Sequence, residues 1–541
     1  MKEIKQIDVK PFLETYYADN SISDELKEVF DYIELNKHKN NFLKLFEEYL
    51  SEYNKKLIKD GNLLKDNVIY DYEYVKQYNA ELAEKAGLNC DNKYQWCVKS
   101  VNSIDENYQF LGLDTNIISE NINNKISLFL ELFIKYSEKL NLNIEISPIL
   151  NMNEDESHIF GRIYTDNEIN ISESNIILEG NINYNNGDKA QLLNLSSMKN
   201  LCFFLGQILA IKGKKEINQY SIKYYVSNIY AGLPTHLKVK IDNDILLKHF
   251  NCQEIENDIK SEELGNDQIL QMYNNDNIHI MVCNGYVYKD NDYSDYFDVF
   301  LKIVNEKLPH VVLIFGPFLY IRNFNEAIQK IGDINVIYDN IFKKITKLAK
   351  NEALEKTHFY IIPSIYDSIN IYPLPQPPFC NENYVNAANN VHFLSNPSYI
   401  YINELKIALT SCDIIYNLNK NLLCRPSEMK TFYLFEQILR QLSFFPSYPS
   451  EYNIEITKFK NLLFQPNRLP DIFLFPSFTN EKSYVKDIHK RLFICPYSLD
   501  LNKAEPSNFF SNIYILPPTE TQELSKRVIL ENVFVRNKTS S

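Results

Sequence analysis

Seven continuous apolar runs in the second half of the chain, six of them followed by a Gly or Pro turn, constrain the fold more than any other feature. The runs and their turns span 278–283, 311–316, 359–364, 407–411, 472–477, 492–496 and 513–517. Runs of this kind are typical of strands buried on both faces. Helical patterns at 293–306 and 336–350 lie between them, so the sequence predicts an α/β sandwich in which helices cover a central sheet.

A different pattern precedes this region, because from about His158 the apolar period changes to two. Short runs at 174–180, 206–213 and 221–227 are bounded by Gly and Asn. Several such strands within so short a stretch predict a small closed β-barrel of the OB type.

The remaining segments complete the predicted organisation. Apolar residues recur with helical period within 1–58 and again from Ile122 to Leu140. We therefore predict six parts: a small helical module at 1–58, a linker at 59–92, a helical segment at 93–150 leading into the OB domain at 151–235, a connection at 236–276, and the α/β domain at 277–541.

Composition limits the classes of function. The 541 residues carry a formal net charge of -14, whereas a binder of duplex DNA normally needs a positive balance to displace counterions. The nine Cys residues are scattered without a Cys-x-x-Cys pair, which favours a reducing compartment over a zinc site. No apolar run approaches the roughly 18 residues that a membrane helix requires, and Met1–Val9 offers no signal-peptide core. We expect a chain inside the cell with no membrane association.

The turns that follow the predicted strands are where an α/β sheet normally carries its chemistry. A metallophosphoesterase places Asp, Asn and His there, because carboxylate and imidazole hold the two divalent metals that clamp an in-line displacement. In this chain the corresponding positions hold Asn284, Tyr286, Gly316, Pro317, Tyr320, Ser364, Asp367, Ser477, Cys495 and Pro496. Asp367 is the only carboxylate among them, and one carboxylate cannot assemble a binuclear centre. We therefore predict no catalytic residue, no metal and no cofactor.

The histidines support this interpretation independently. His279, His310, His358 and His489 lie at or before the starts of the runs, which is the opposite end from the metal-bearing turns. The sequence also lacks a phosphate-binding P-loop, a Gly-x-Ser-x-Gly elbow and a His-Glu-x-x-His zinc motif.

Basic residues of the barrel leave a nucleic-acid role open. Arg162, Lys212, Lys214 and Lys215 are candidates to line a groove for a single strand. Such a groove also needs aromatic side chains on which bases stack.

Several short segments, taken in their order along the chain, resemble those of a known family, the B subunits of DNA polymerase alpha-primase. The segments that carry the resemblance are Phe160-Gly-Arg-Ile, Ile177-Leu-Glu-Gly, Leu205-Gly-Gln-Ile, Pro309-His-Val-Val-Leu-Ile-Phe-Gly-Pro-Phe, Ile362-Pro-Ser-Ile-Tyr-Asp, Tyr372-Pro-Leu-Pro-Gln-Pro-Pro-Phe, Leu409-Thr-Ser-Cys-Asp-Ile-Ile, Phe445-Pro-Ser-Tyr-Pro, Pro470-Asp-Ile-Phe-Leu-Phe-Pro-Ser and Tyr484-Val-Lys-Asp-Ile. They fall in the family's order over about residues 93–518.

The resemblance implies an OB domain joined to a phosphodiesterase-type domain of the calcineurin-like metallophosphoesterase class that has lost its metal ligands. It further implies a non-catalytic scaffold in the nucleus that binds the C-terminal, zinc-binding domain of the polymerase alpha catalytic subunit. The resemblance also implies that the chain associates with the primase subunits through the complex, and with DNA only indirectly, during initiation of replication.

The sequence is also compatible with three alternatives. The accessory chains of polymerases delta and epsilon share the two-domain plan, although Pro375-Gln-Pro-Pro-Phe379 favours alpha. An active metallophosphoesterase with unfamiliar ligands depends on Asp367. A single-stranded DNA-binding OB protein depends on the basic residues of the barrel.

Overall fold

The computed structural model describes the chain in segments that cover the predicted barrel and most of the predicted α/β domain. They are 63–65, 98–103, 115–142, 144–150, 155–166, 171–217, 221–233, 273, 277–284, 288–289, 292–293, 295–320, 333–370, 372–379, 388–425, 427, 430–477, 484–496, 509–518 and 523–534. The predicted helical module at 1–58 lies outside the described residues. Among the helices described, none combines the length and apolar character that a membrane crossing requires.

The first described part contains a long helix and a barrel. Its elements are β1 (Leu63–Lys65), β2 (Val98–Asn102), α1 (Thr115–Lys139), β3 (Ser157–Tyr164), β4 (Ile177–Glu179), α2 (Ile182–Asn185), β5 (Lys189–Leu193), β6 (Leu201–Phe204), β7 (Ile208–Ile217) and β8 (Ile222–Tyr230).

Five of these strands close the barrel in the order β3-β4-β5-β8-β7. Inward-facing aliphatic and aromatic side chains fill it, including Ile159, Leu178, Leu192 and Tyr224. The turn between α2 and β5 requires positive φ at Asn186 and Gly187, residue types that adopt it readily. The closed barrel predicted from the period-two pattern is therefore present.

The second part alternates strands and helices. Its elements are β9 (Ile278–Asn284), β10 (Tyr288–Lys289), β11 (Asp292–Tyr293), α3 (Asp295–Lys307), β12 (Val311–Phe315), β13 (Leu319–Tyr320), α4 (Ile334–Ala349), β14 (His358–Ile362), β15 (Val391–Phe393), β16 (Ser398–Ile402), β17 (Leu405–Leu409), α5 (Ile414–Lys420), β18 (Leu422–Arg425), α6 (Lys430–Arg440), β19 (Ile472–Leu474), β20 (Tyr484–Ile488), β21 (Arg491–Cys495), β22 (Phe509–Ile515), α7 (Leu524–Arg527) and β23 (Val528–Phe534).

The single central sheet expected from the sequence is in fact two sheets packed face to face. One runs β1-β23-β22-β9-β12-β14-β15 and the other β2-β16-β17-β19-β21-β20. A core of aliphatic side chains from both sheets, such as Val282, Leu313, Ile407 and Leu474, lies between them. Continuous apolar runs cannot distinguish one buried sheet from two, since in both cases each strand is covered on both faces.

Helices cover the outer faces of the two sheets. Helices α3 and α4 pack on the first sheet through a core that includes Phe297, Phe300 and Phe342. On the second sheet α5 and α6 share a core with α1, including Ile415, Phe435 and Phe129. The order of layers is therefore helix, sheet, sheet, helix.

Two early segments take part in the sheets. The predicted linker at 59–92 contributes β1, which pairs in parallel with β23, with Leu63 opposite Ile529. The segment 93–150, expected to lead into the barrel, contributes β2, which pairs antiparallel with β16 of the second sheet. Short edge strands carry too few residues for their period to be recognised in the sequence.

Candidate functional site

The turns after β12 and β14 meet at one edge of the first sheet. These strands pair in parallel, with Phe315 opposite Ile362, so their carboxyl ends are adjacent. The Gly316 N–H donates to the Ile362 carbonyl at 2.8 Å, and the peptide between Gly316 and Pro317 is cis. A metallophosphoesterase carries its metal ligands at this edge, and the sequence predicts that they are replaced in this chain.

Asp367 is the centre of this edge, and its carboxylate accepts hydrogen bonds from three donors. The backbone N–H of Phe318 and the hydroxyl of Tyr338 donate to Oδ1, each at 2.7 Å. The backbone N–H of Ser364 donates to Oδ2 at 2.8 Å. Three of the roughly four acceptor positions of a carboxylate are thus occupied by the protein itself.

Close packing surrounds the rest of the carboxylate. A Cβ at Gly316 would collide with Asp367 Oδ2, so the glycine is required for this approach. Burial raises the pKa of Asp367 to about 6, and the hydrogen bonds from Phe318, Ser364 and Tyr338 oppose that rise. Asp367 is 2% exposed and joins three segments of chain.

Neutral polar side chains extend the same contacts to the second sheet. Gln376 Nε2 donates to the Ser364 carbonyl at 3.0 Å, and Asn396 Nδ2 donates to Ser411 Oγ at 2.8 Å. Ser411 Oγ in turn donates to the Pro363 carbonyl at 2.7 Å. Serine, asparagine and glutamine therefore stand among these turns, where a binuclear centre would need carboxylates and imidazoles.

The other predicted positions follow the same trend where the structure describes them. Ser477 is 1% exposed and Cys495 is fully buried. The Pro496 carbonyl accepts a hydrogen bond from the Ser511 hydroxyl. Asn284 ends β9 and Tyr320 ends β13, while Tyr286 lies outside the described residues.

The arrangement is suited to bracing turns and is poorly suited to binding a metal. Within the described segments, no group of three or more His, Cys, Asp or Glu side chains could hold a metal ion. The sequence does not identify Tyr338, Gln376 or Asn396 as partners of these turns. Helical period indicates that Tyr338 is buried, yet it carries no information about which acceptor its hydroxyl reaches.

Three of the predicted histidines lie at the opposite ends of the strands of the first sheet. His279 Nε2 is 3.1 Å from Asn512 Oδ1, and its ring stacks on Tyr514 at 4.6 Å between centroids. His358 Nδ1 is 3.2 Å from His392 Nε2, and His310 directly precedes β12. The pKa of His279 is lowered to about 4, mainly by burial, so this ring is neutral in the folded protein at pH 7.

The basic residues of the barrel do not form one cluster. Arg162 faces Ile208 across β3 and β7, whereas Lys212 faces His158 at the other end of the same ladder. Arg162 Nε is 2.6 Å from Glu179 Oε2, and Lys212 Nζ is 3.3 Å from Glu156 Oε2.

Arg162 lies close to Lys125, a buried residue of α1. Burial lowers the pKa of Lys125 on α1 to about 8, and the positive charge of Arg162 adds a smaller effect in the same direction. The remaining candidates are Lys214, which is exposed, and Lys215, which is half-buried. The face of Tyr164, a candidate stacking platform, is covered by Lys189 with Nζ 4.1 Å from the ring centroid.

Comparison with known proteins matches both parts of the chain. A family model for the OB domain of the DNA polymerase alpha B subunit matches residues 119–232. A second model, for the B subunit of DNA polymerases alpha and epsilon, matches residues 280–486. The first range contains the whole barrel, and the second contains the turns at Gly316, Ser364 and Ser477.

Individual relatives carry the same name. The DNA polymerase alpha B subunit of Bos taurus is 25% identical over 337 residues, covering 61% of this chain and 50% of the relative. The Dictyostelium discoideum protein is 29% identical, covering 37% of this chain and 31% of its own length, and the Saccharomyces cerevisiae protein is 24% identical, covering 64% and 48%. The chain spans about half the length of the Bos taurus relative it matches.

Among solved structures, a single mutant of Vps29 from Entamoeba histolytica is 13% identical and covers 48% of this chain and 99% of its own, with a TM-score of 0.23. The family models, in contrast, match the barrel and the strand-end turns in the order in which they occur along the chain. In both of its parts, the chain is therefore similar to the B subunits of DNA polymerase alpha.

Proposed function

We propose that this protein is the non-catalytic accessory subunit of DNA polymerase alpha. The family match over the barrel and the turns supports this role, as do relatives named as the B subunit of that polymerase. The observation that carries the proposal is the way in which the carboxylate of Asp367 is hydrogen bonded. Its lone pairs are used by Phe318, Ser364 and Tyr338, so the last carboxylate of the former ligand set acts as a brace between turns.

The α/β part is, in this proposal, a phosphodiesterase-type domain whose metal site has been rebuilt as a packing site. Support comes from the layer order of two sheets between helices and from parallel strands whose turns meet at one edge. Neutral Ser, Asn and Gln side chains connect those turns. Retained geometry with exchanged chemistry is what a scaffold derived from an enzyme requires.

The partner is the C-terminal domain of the polymerase alpha catalytic subunit, with primase subunits reached through the complex and DNA reached indirectly, in the nucleus. A scaffold must hold its parts at fixed positions. Helix α6 and the residue after it support such a role, because Gln437 accepts from Gln207 of the barrel at 3.0 Å and Gln441 bonds both the N–H and the carbonyl of Ile208.

Affinity purification tests the partner. The full chain is co-expressed separately with the C-terminal domains of the alpha, delta and epsilon catalytic subunits, and each tagged domain is recovered in buffer of physiological salt. We expect a stoichiometric complex with the alpha domain and only background recovery with the other two. Failure to bind the alpha domain, or preferential binding to the delta or epsilon domain, contradicts the proposal.

Metal analysis tests the loss of catalysis. The purified chain is dialysed against Mn²⁺ or Zn²⁺ and assayed with bis(p-nitrophenyl) phosphate, a phosphodiester. We expect no bound metal at stoichiometric level and no hydrolysis above background in either the wild type or Asp367→Asn. Hydrolysis by the wild type that disappears in Asp367→Asn would establish the enzyme alternative.

Salt-dependent DNA binding tests the barrel. Removing both charges in Lys214→Gln/Lys215→Gln is expected to leave the weak binding of single-stranded DNA unchanged, because the neighbouring Arg162 and Lys212 are engaged by carboxylates. Lys199→Gln, on the segment before β6, is the control with one charge removed elsewhere. A large loss of affinity confined to the β7 variant would favour direct DNA binding.

A further inference from the structure

The barrel and the α/β part are joined by a two-stranded ladder that places two cysteines opposite each other. Strand β6 pairs antiparallel with β18, and in this register Cys202 is the partner of Cys424. Both residues are thiols in the structure. Cys202 belongs to the barrel region, whereas Cys424 belongs to the α/β part, far later in the chain.

The geometry of the ladder suits a disulfide. Residues directly opposite each other in an antiparallel pair project their side chains to the same face, with Cα atoms about 4.5 or 5.5 Å apart. Both separations fall within the roughly 4.4–6.8 Å range over which a disulfide forms without backbone movement.

The two thiols differ in reactivity. The sulfur contact with Cys202, which is the largest cause, and the charge of Lys430 lower the pKa of Cys424. The same contact, followed by burial, raises the pKa of Cys202. Cys424 is half-buried and Cys202 is 7% exposed, so Cys424 is both the more accessible thiol and the first to ionise.

A cavity of about 420 Å³ borders Cys202 on the side of α6, and Cys424 is not among its lining residues. Cys202 lines it together with Tyr433, Glu436 and Arg440. An ionised, accessible thiol beside a second, buried thiol is the arrangement found in peroxide-sensing pairs.

We propose that Cys202 and Cys424 form a peroxide-responsive dithiol that closes into a disulfide between the barrel and the α/β part. The Cys424 thiolate attacks a peroxide oxygen; a sulfur–oxygen bond forms, the oxygen–oxygen bond breaks, and the departing oxygen takes a proton to leave as water or an alcohol. Cys424 is then a sulfenic acid. The Cys202 sulfur attacks it, forms the sulfur–sulfur bond and expels hydroxide, which takes the Cys202 proton and leaves as water.

The consequence is a covalent connection between parts that the reduced protein joins through non-covalent contacts at this ladder. In a reducing compartment both thiols persist until an oxidant arrives, and a thiol reductant reopens the bond. The inference is independent of the proposed role in DNA replication, since its geometry comes from the β6–β18 register.

Mass spectrometry of the full chain tests the proposal. Reduced wild-type protein is treated with hydrogen peroxide in the folded state, the remaining thiols are alkylated, and the digest is analysed without reductant. We expect a linked peptide pair containing Cys202 and Cys424 that separates after dithiothreitol. Recovery of both residues as separate alkylated thiols from folded, peroxide-treated protein overturns the proposal, as does linkage of either residue to another cysteine.

Variants assign the two roles. In Cys202→Ser, Cys424 is expected to accumulate as a sulfenic acid that dimedone traps, whereas in Cys424→Ser the Cys202 thiol is expected to remain unoxidised. Cys283→Ala, which removes a buried thiol elsewhere in the sheet, is the matched control and should retain the linked pair. Oxidation is expected to raise the unfolding temperature of the wild type and of Cys283→Ala, and to leave that of Cys424→Ser unchanged. Equal rises in all three proteins contradict a Cys202–Cys424 staple.

Discussion

At the scale of single residues, Asp367 shows how one buried carboxylate can brace several turns. A buried carboxylate is costly unless it is hydrogen bonded, and here two backbone N–H groups and one hydroxyl meet it. The same three donors would be buried without an acceptor if the carboxylate were removed. The stability of these turns therefore depends on Asp367, which is the only carboxylate among the predicted degenerate metal-site positions.

Truncation of this carboxylate tests its role as a brace. Asp367→Ala leaves three buried donors without an acceptor, and we expect the free energy of unfolding to fall by about 3 kcal/mol. Asp367→Asn keeps the acceptor for Phe318 and Tyr338 but turns an amide toward the Ser364 N–H, so about half that loss is expected. Urea denaturation monitored by circular dichroism measures both.

The control for this prediction is Asp298→Ala on α3. Asp298 forms an exposed ion pair with Lys344, and such pairs contribute at most about 1 kcal/mol. If Asp367→Ala and Asp298→Ala unfold at the same urea concentration, the bracing role of Asp367 is wrong.

His279 gives the fold a dependence on acid. Its pKa is lowered from its ordinary value near 6.5 to about 4 by burial, so its contribution to stability is complete above pH 6.5 and is lost as the pH falls through 4. We expect this loss to reach at most about 3 kcal/mol. His279→Gln can keep the donor to Asn512 without titrating, and should flatten the fall in unfolding temperature between pH 6.5 and 4.

The comparison must be made between the two proteins at each pH, because Asp367 titrates in the same window with opposite sign. Its pKa is raised to about 6, so its contribution is present below about pH 4 and is lost as the pH rises through 6. That contribution is common to the wild type and His279→Gln and cancels in the difference. Identical slopes in the two proteins would contradict the assignment to His279.

At the scale of elements, the sequence predicts most of what lies at the centre of each sheet and less of what lies at the edges. Buried strands such as β9, β12 and β14 have continuous apolar runs, and α1 and α4 show a clear helical period. Strands β2, β18 and β23 are not predicted. In β18 all four residues are half-buried, so neither alternation nor a continuous run marks it.

The end of helix α6 contacts the barrel through the side chain of Gln441. Gln441 donates from Nε2 to the Ile208 carbonyl at 2.8 Å and accepts at Oε1 from the Ile208 N–H at 2.9 Å. One side chain thus takes the place of a neighbouring strand at the start of β7. An isolated glutamine in the sequence gives no indication of such a contact, because its partner is 233 positions away.

Loss of this contact is expected to be costly. Gln441→Ala leaves the buried N–H and carbonyl of Ile208 unpaired, and we expect a fall of about 2 kcal/mol in the free energy of unfolding. Gln191→Ala is the control, since Gln191 donates one bond at a partly exposed site on β5 and should change the value by less than about 0.5 kcal/mol. Equal unfolding midpoints for the two variants would show that this contact does not stabilise the barrel.

At the scale of the whole molecule, the sequence predicts separate domains and the structure shows a shared core. The cluster that covers the second sheet contains Phe129 and Phe133 of α1, Phe160 and Ile208 of the barrel, and Phe435 of α6. Each of these residues follows the period of its own element, and a period identifies the buried face without identifying what covers it. The predicted boundaries at 151 and 235 separate stretches of sequence, whereas the hydrophobic core extends across both of them.

A shared core predicts shared unfolding. Phe133 is 4% exposed and contacts the rings of Phe160 and Tyr230, with centroids 5.6 and 6.3 Å away. Phe133→Ala opens a cavity between α1 and the barrel, and we expect a loss of about 3–5 kcal/mol. Because the barrel and the α/β part share this cluster, the loss should fall on both.

Hydrogen exchange measured by mass spectrometry distinguishes shared from separate unfolding. Amides of β7 in the barrel and of β12 in the α/β part are expected to lose protection by the same factor in Phe133→Ala. Ile134→Ala is the matched control, since its side chain is the adjacent one on α1 and is 38% exposed, and both strands should keep their protection. Loss of protection in β7 with β12 unchanged would mean that the barrel unfolds independently. In that case, a scaffold that holds its two parts at fixed positions would need its partner to keep them rigid.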